Sequence, residues 1–169
     1  MRFADGAWHS ETRPPAGADI AASADDRIQN LQNFRVTMHR EIVSSNVLPT
    51  PRFRYSPVVR VGPFVFVSGL VGLDPSTGSL ADGGAYGQTA QILRNLKRLC
   101  DEQGWALSDL VVARVFCANT AEAAAVNEAW EEAFEQVEPP ARTFVTVSGL
   151  PLGAAVEIEF QLLPGERRS

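Results

Sequence analysis

Three stretches of this chain are apolar at both odd and even positions, and this feature limits its fold more than any other. They are residues 64–70, 109–117 and 142–148, with FVFV and VARVF as the clearest runs. Side chains in a β-strand alternate between two faces, so strands of this kind need cover on both sides. A sheet with one face in water would instead alternate apolar and polar residues.

Only two segments have apolar residues at the spacing of a helix that could supply this cover. The first is predicted over 85–104, with Gly104 as its C-terminal stop. The second is predicted over 121–137, with Thr120 as its N-cap. Their apolar stripes are Ile92, Leu93, Leu96, Leu99 and Cys100 in the first, and Val126, Trp130, Phe134 and Val137 in the second.

Further strands are predicted around these segments. One lies at 36–43, a hairpin turns at Gly62–Pro63, and two strands at 141–150 and 154–163 close the chain. The order is β-β-β-α-β-α-β-β, which predicts an α+β fold: a mixed six-stranded sheet with both helices on one face. The other face then has no cover within the chain, and we expect it to meet other subunits in an oligomer packed sheet against sheet.

Composition restricts the partners and the compartment. The chain of 169 residues has a formal net charge of −5, which disfavours binding to a phosphate backbone, so no nucleic-acid partner is expected. Cys100 and Cys117 are the only cysteines, and they are expected to be free, buried thiols. The sequence shows neither a signal peptide nor an apolar run long enough for a membrane span, so we expect a cytoplasmic protein without a membrane partner.

The chain divides into two parts. Residues 1–35 form an N-terminal extension, rich in Ala, Asp, Ser and Pro, that is expected to be weakly ordered or to contain a short helix over 25–34. Residues 36–169 form the folded domain.

Few side chains are available for catalysis. His9 and His39 are the only histidines, and both precede or open the folded region, which argues against a catalytic triad, a Cys-His pair and a histidine-rich metal site. The sequence contains no phosphate-binding P-loop, no dinucleotide fingerprint and no CxxC pair. Any chemistry would therefore use arginine, carboxylates, hydroxyls and backbone groups.

Two glutamates in the last predicted strand stand out. In VEIEF, Glu157 and Glu159 point to one face, and Val156, Ile158 and Phe160 point to the other, under the helices. A buried carboxylate needs a partner or a raised pKa. Arg142 follows a double proline, and its guanidinium suits a planar carboxylate ligand.

Plainer interpretations of the same residues remain open at this point. Arg142 and the glutamates are also typical of structural ion pairs or solvated positions. Tyr55 is typical of a packed loop aromatic, Ser68–Gly69 of a strand end, and Asn127 of a polar surface position.

Five ordered motifs join these residues: YSPVVRVGPFVFVSGLVGLDPSTG, QTAQILRNLKRLCDEQG, DLVVARVFCANTAEAAAVNEAW, PPARTFVTVSGLP and VEIEF. Together they resemble the RidA/YjgF family, the reactive intermediate deaminases once called L-PSP endoribonucleases. The resemblance covers about residues 38 to 163.

The resemblance implies a chorismate-mutase-like fold and a homotrimer with clefts between subunits. It also implies hydrolysis of 2-enamine or 2-imine acids to 2-oxo acids and ammonia, without a cofactor or metal. By the same resemblance, Arg142 holds the substrate carboxylate in a bidentate pair, and Glu157 positions or activates the attacking water. The remaining positions implied to bind substrate are Tyr55, Ser68, Gly69 and Asn127.

The sequence departs from the family pattern at three positions. Phe144 replaces a frequent cysteine, Leu70 a frequent glutamine and Leu152 a frequent lysine. We expect these changes to make the cleft more apolar and to favour a larger or more hydrophobic imine acid.

Three alternatives to a deaminase also stay open. They are a non-catalytic trimer that binds a carboxylate metabolite such as a 2-oxo acid, an endoribonuclease, and an enzyme that uses the same cleft for another hydrolytic or lyase step.

Overall fold

A mixed six-stranded sheet with two helices packed on one face forms the framework of the chain in a computed structural model, which describes residues 39–51 and 53–165. The predicted element order and α+β architecture are confirmed. The extension at 1–35, its helix over 25–34 and the predicted domain boundary lie outside the described residues. The strands are β1 Arg40–Ile42, β2 Val58–Val61, β3 Phe64–Val71, β4 Leu110–Cys117, β5 Ala141–Thr146 and β6 Val156–Leu162, and the helices are α1 Gly84–Gln103 and α2 Ala123–Ala133.

The last strand of the chain lies inside the sheet. The strand order is β1-β2-β3-β6-β4-β5, so β6 is inserted between β3 and β4. All neighbouring strands are antiparallel except β4 and β5, which are parallel and joined through α2. β5 is therefore an edge strand, held to the sheet only along β4.

The C-terminal end of α1 and the N-terminal start of α2 are formed in different ways. Gly104 ends α1 in a left-handed conformation with φ 69°, as predicted. The predicted cap of α2 is wrong, because a 3-10 turn over Thr120–Glu122 precedes this helix. Asn119 caps that turn by accepting a hydrogen bond from Ala121 N at 3.0 Å, while the Thr120 hydroxyl lies 2.9 Å from the Thr146 hydroxyl.

The hydrophobic core lies between the helices and one face of the sheet. Val156, Ile158 and Phe160 of β6 are at most 1% exposed, and burial of such side chains stabilises the fold by about 1.5–3 kcal/mol each. Their neighbours Glu157 and Glu159 are half-buried and point to the opposite face. The predicted division of β6 into a core face and an acidic face is confirmed.

The opposite face of the sheet, called here the open face, carries exposed apolar side chains in the described part of the chain. Phe64, Phe66 and Val145 are 45%, 41% and 41% exposed. The ion pair between Arg114 and Glu159, at 3.9 Å, lies on the same face. Large exposed apolar patches mark interaction sites, so this face is suited to contact with another chain.

A β-bulge interrupts the pairing of β3 with β6. Val67 pairs with Phe160 but Leu70 pairs with Ile158, so β3 has one extra residue between these pairs. Ser68 is held there because its N–H and its hydroxyl donate hydrogen bonds to carbonyl oxygens of the segment before β2, both at 2.9 Å. The strand therefore continues to Val71, and the interpretation of Ser68–Gly69 as a strand end is wrong.

Candidate active site

A cleft with a volume of about 370 Å³ opens beside the bulge in β3. It brings together four of the predicted site residues, Tyr55, Ser68, Gly69 and Glu157. The rest of its lining is mostly apolar and comes from the loop before β2, the end of β3 and the turn before β6. These residues are Pro49, Thr50, Phe53, Val71, Leu73, Pro151 and Leu152.

Among the described residues, Glu157 is the only one that brings a carboxylate to this cleft. Its side chain lies against the backbone of Gly69, where an added β-carbon would overlap the carboxylate oxygen Oε1. Burial raises the pKa of Glu157, and the negative charge of Glu159 raises it further. A desolvated carboxylate accepts a proton more readily than a solvated one, so Glu157 is suited to act as a general base.

Arg142 lies on β5, outside the cleft. Its Nη2 donates a hydrogen bond of 2.9 Å to Asn127 Oδ1, and its guanidinium carbon lies 4.9 Å from the ring centroid of Trp130. Asn127 and Trp130 are three residues apart on α2, so they share one face of that helix. They hold one side of an exposed guanidinium, which has five N–H donors in all.

Arg142 and Glu157 do not meet within one chain. Across β4, Arg142 is aligned with the buried Ala113, while Glu157 is aligned with Phe116. Because Ala113 and Phe116 are three positions apart, their side chains point to opposite faces of the sheet. From strand spacing and rise, the Cα atoms of Arg142 and Glu157 are about 14 Å apart.

Two of the expected cleft residues lie against the core. Leu70 pairs with the buried Ile158, and Phe144 pairs with the buried Val115. Both side chains are partly buried in the hydrophobic core, and neither lines the 370 Å³ cleft. Leu70 contributes instead to a small adjoining cavity of about 40 Å³.

Leu152 does line the cleft, in a strained conformation. Its φ is 61°, the one positive φ of a non-glycine residue in the described part of the chain. The left-handed region costs a residue with a β-carbon about 1–2 kcal/mol. The side chain is also 46% exposed, so core packing does not offset this strain.

Sequence reasoning missed two residues of the site. Trp130 was assigned only to the core stripe of its helix, although its position three residues after Asn127 was a signal that it shares the Arg142 face. Phe53, 76% exposed, lines the cleft from an irregular loop, where no periodic pattern could have identified it.

Neither a membrane span nor a metal cluster is found within 39–51 and 53–165. No helix there is both long and apolar enough to cross a bilayer. No group of three His, Cys, Asp or Glu side chains there is placed to hold a metal ion.

The fold and the cleft define a class of α+β proteins with a carboxylate at a bulge and an arginine at the sheet edge. Residues 45–162 match the sequence profile of the family described as Endoribonuclease L-PSP. The chain belongs to this family, and the predicted membership of the RidA/YjgF group is confirmed.

Relatives and solved structures agree with this membership. The 2-iminobutanoate/2-iminopropanoate deaminase of Mus musculus is 36% identical over 120 residues, which is 71% of this chain and 88% of that protein. The structure of RidA from the Antarctic bacterium Psychrobacter is 33% identical, with a TM-score of 0.68 over 73% of this chain and 98% of that one. The structure of E. coli TdcF with bound serine is 27% identical, with a TM-score of 0.69 over 74% of this chain and 99% of that one.

Proposed function

We propose that this protein hydrolyses 2-imine and 2-enamine acids to 2-oxo acids and ammonia, in a cleft that two subunits complete together. The observation that carries the proposal is the separation of Arg142 and Glu157 on opposite faces of one sheet. Each of the two side chains is held in place by its own neighbours. Because they lie on opposite faces of the sheet, a small substrate cannot reach both within one chain. Relatives named as deaminases add support for the reaction.

The assembly proposed is a homotrimer in which the open face of one chain meets its neighbour. The exposed Phe64, Phe66 and Val145 supply apolar surface for this contact. Arg142 lies on the edge strand β5, and we propose that this edge of the partner subunit borders the cleft that holds Glu157. The substrate would be enclosed and its water contacts reduced, which strengthens the electrostatic interactions in the cleft.

In the proposed reaction, Arg142 of the partner subunit binds the substrate carboxylate through two parallel hydrogen bonds. Glu157 takes a proton from water as the water oxygen bonds to the iminium carbon, giving a carbinolamine. Glu157 then returns that proton to the nitrogen, and the C–N bond breaks. The hydroxyl proton goes to the departing ammonia, so iminium acid and water become 2-oxo acid and ammonium.

This reaction needs no cofactor. A protonated imine is already electrophilic, so carboxylate binding, a placed water and one proton acceptor account for the chemistry. Tyr55 and Ser68 shape the cleft around the reacting group. Asn127 acts through Arg142, because it holds the guanidinium in place.

The test is release of ammonia and 2-oxo acid from imines generated by an amino-acid oxidase, above the rate without enzyme. Arg142→Ala and Glu157→Gln are each expected to lose activity, and Arg98→Ala, on the exposed side of α1, is the matched control. The two inactive variants are then unfolded together, refolded and assayed. Because each site takes one residue from each of two chains, an equal mixture should regain about a quarter of the wild-type rate.

Three results would contradict the proposal. Full activity in Arg142→Ala would exclude the carboxylate clamp. Inactivity of the refolded mixture, with wild type refolded in parallel as an active control, would exclude the shared cleft. Tight binding of 2-oxo acids without turnover of any imine would favour the non-catalytic alternative.

A further inference from the structure

We infer that the cleft selects imine acids with a large apolar side chain, and that Leu152 and Phe53 form the wall that receives it. This inference rests on the proposed function and adds the class of substrate to it. The sequence predicts an apolar cleft because of Leu70 and Phe144, but these two side chains pack against the core. The apolar surface within one chain comes instead from residues that line the cleft.

Exposed apolar side chains gather at this cleft. Phe53, Tyr55 and Leu152 are 76%, 50% and 46% exposed, and all three line it. Apolar area that stays in contact with water is unfavourable, and apolar pockets with a few polar groups are typical of small-molecule sites. Because the same cleft holds the Glu157 carboxylate, we assign this apolar area to the part of the substrate next to the reacting carbon.

The conformation of Leu152 supports a role in binding. A glycine or asparagine would adopt its φ of 61° at less cost, yet the position holds a branched apolar side chain. That side chain does not belong to the core cluster, so it does not repay the strain through packing there. Strained residues that line a cleft are often held for function, and contact with an apolar ligand is the function that suits leucine here.

The polar groups of the cleft point to the same class of substrate. Among the described residues, only Thr50, Ser68, Tyr55 and Glu157 bring polar side chains to its lining. The Ser68 hydroxyl already donates to a backbone carbonyl. The described residues of the lining include no arginine or lysine that would pair with an acidic side chain. A second carboxylate on the substrate would instead meet Glu157, which carries the same charge when ionised.

The experiment compares kcat/KM for imines made from alanine, leucine, phenylalanine and glutamate with the full-length protein. Wild type is expected to favour the leucine and phenylalanine imines over the alanine imine by about tenfold, and to turn over the glutamate imine most slowly. Leu152→Asn, which tolerates a positive φ, is expected to lose the preference for large side chains, so that the ratio of kcat/KM between the leucine and alanine imines falls to about one.

Two further variants separate binding from folding. Leu152→Gly should also lose the preference but raise the Tm, because glycine adopts this φ without strain. Leu163→Ala is the matched control, since Leu163 is 43% exposed and does not line the cleft. Its substrate preference should equal that of wild type.

Each of the following results would contradict either the size selection or the proposed function. Equal kcat/KM for alanine and leucine imines in wild type, or an unchanged preference in both Leu152 variants, would overturn the size selection and leave the deaminase proposal standing. Loss of the native oligomer in Leu152→Asn, measured by light scattering, would show that Leu152 covers a subunit contact and would also overturn the inference. Absence of turnover with every imine would contradict the proposed function itself.

Discussion

The carboxylate of Glu157 occupies the space that a β-carbon at Gly69 would need. Gly69 belongs to the bulge of β3, and Glu157 belongs to the neighbouring strand β6. A missing side chain on one strand thus makes room for an ionisable side chain on the next. The position of the candidate base depends on this pair, because the overlap would force either the carboxylate or the strand to move.

Gly69→Ala is expected to lower kcat by about a hundredfold, because small displacements of a catalytic group have effects of this size. The measurement is turnover of an imine under saturating conditions, with circular dichroism to confirm that the variant folds. Gly149→Ala is the matched control, since an added β-carbon there would meet no atom within 4 Å. A Gly69→Ala enzyme with the wild-type rate would show that Glu157 does not depend on this space.

Glu159→Gln is expected to move the acid limb of the pH–rate profile to lower pH. Glu157 must be ionised to act as a base, so kcat/KM should rise as pH rises through its pKa. Removal of the negative charge at Glu159 lowers the pKa of Glu157, although burial, the larger cause, still keeps it raised. The profile is measured after subtraction of the enzyme-free rate. The exposed Glu131→Gln serves as control, and an acid limb that stays in place would exclude Glu157 as the titrating group.

Glu157→Gln is expected to be more stable than wild type, by an amount that grows with pH. Folding raises the pKa of Glu157 above its ordinary value of 4.5, so its contribution to stability is fully present below that value. This contribution is lost as pH rises through the pKa of the folded protein. Urea unfolding of both proteins at about pH 4 and about pH 8 measures the difference. A difference that is the same at both pH values would indicate that the carboxylate is not desolvated.

Asn127→Ala is expected to raise KM by about tenfold with little change in kcat. The reason is that Asn127 accepts a hydrogen bond of 2.9 Å from Arg142, and loss of this acceptor leaves the guanidinium less well placed to bind a carboxylate. Steady-state kinetics measure the split between the two constants. Asn127→Gln keeps a neutral amide acceptor and should lose less than Asn127→Ala, whereas an equal loss in both variants would point to a different role for the asparagine.

The alternation of apolar and acidic residues in β6 predicts its core face and its acidic face from the sequence alone. The position of Leu70 was not predictable in the same way. The bulge shifts the alternation of β3, so odd-numbered residues face the core before it, and Leu70 faces the core after it. Glycine inside an apolar strand was the available signal.

The strand order could not be predicted from local sequence patterns, for a related reason. The insertion of β6 between β3 and β4 depends on pairing between residues far apart in the chain, which leaves no local pattern. For the same reason, the separation of Arg142 from Glu157 became apparent only once both strands were aligned along β4.

The extra residue in β3 predicts how this stretch responds to changes in chain length. Deletion of one residue between Val67 and Leu70 would remove the bulge and restore plain alternation, while Leu70 would still pair with Ile158 and Val71 with Glu157. An insertion at the same place would displace the remainder of the strand by one position. A single deletion here would thus change only the bulge that carries Ser68 and Gly69, whereas a single insertion that displaces the strand would change which side of the sheet every later residue occupies.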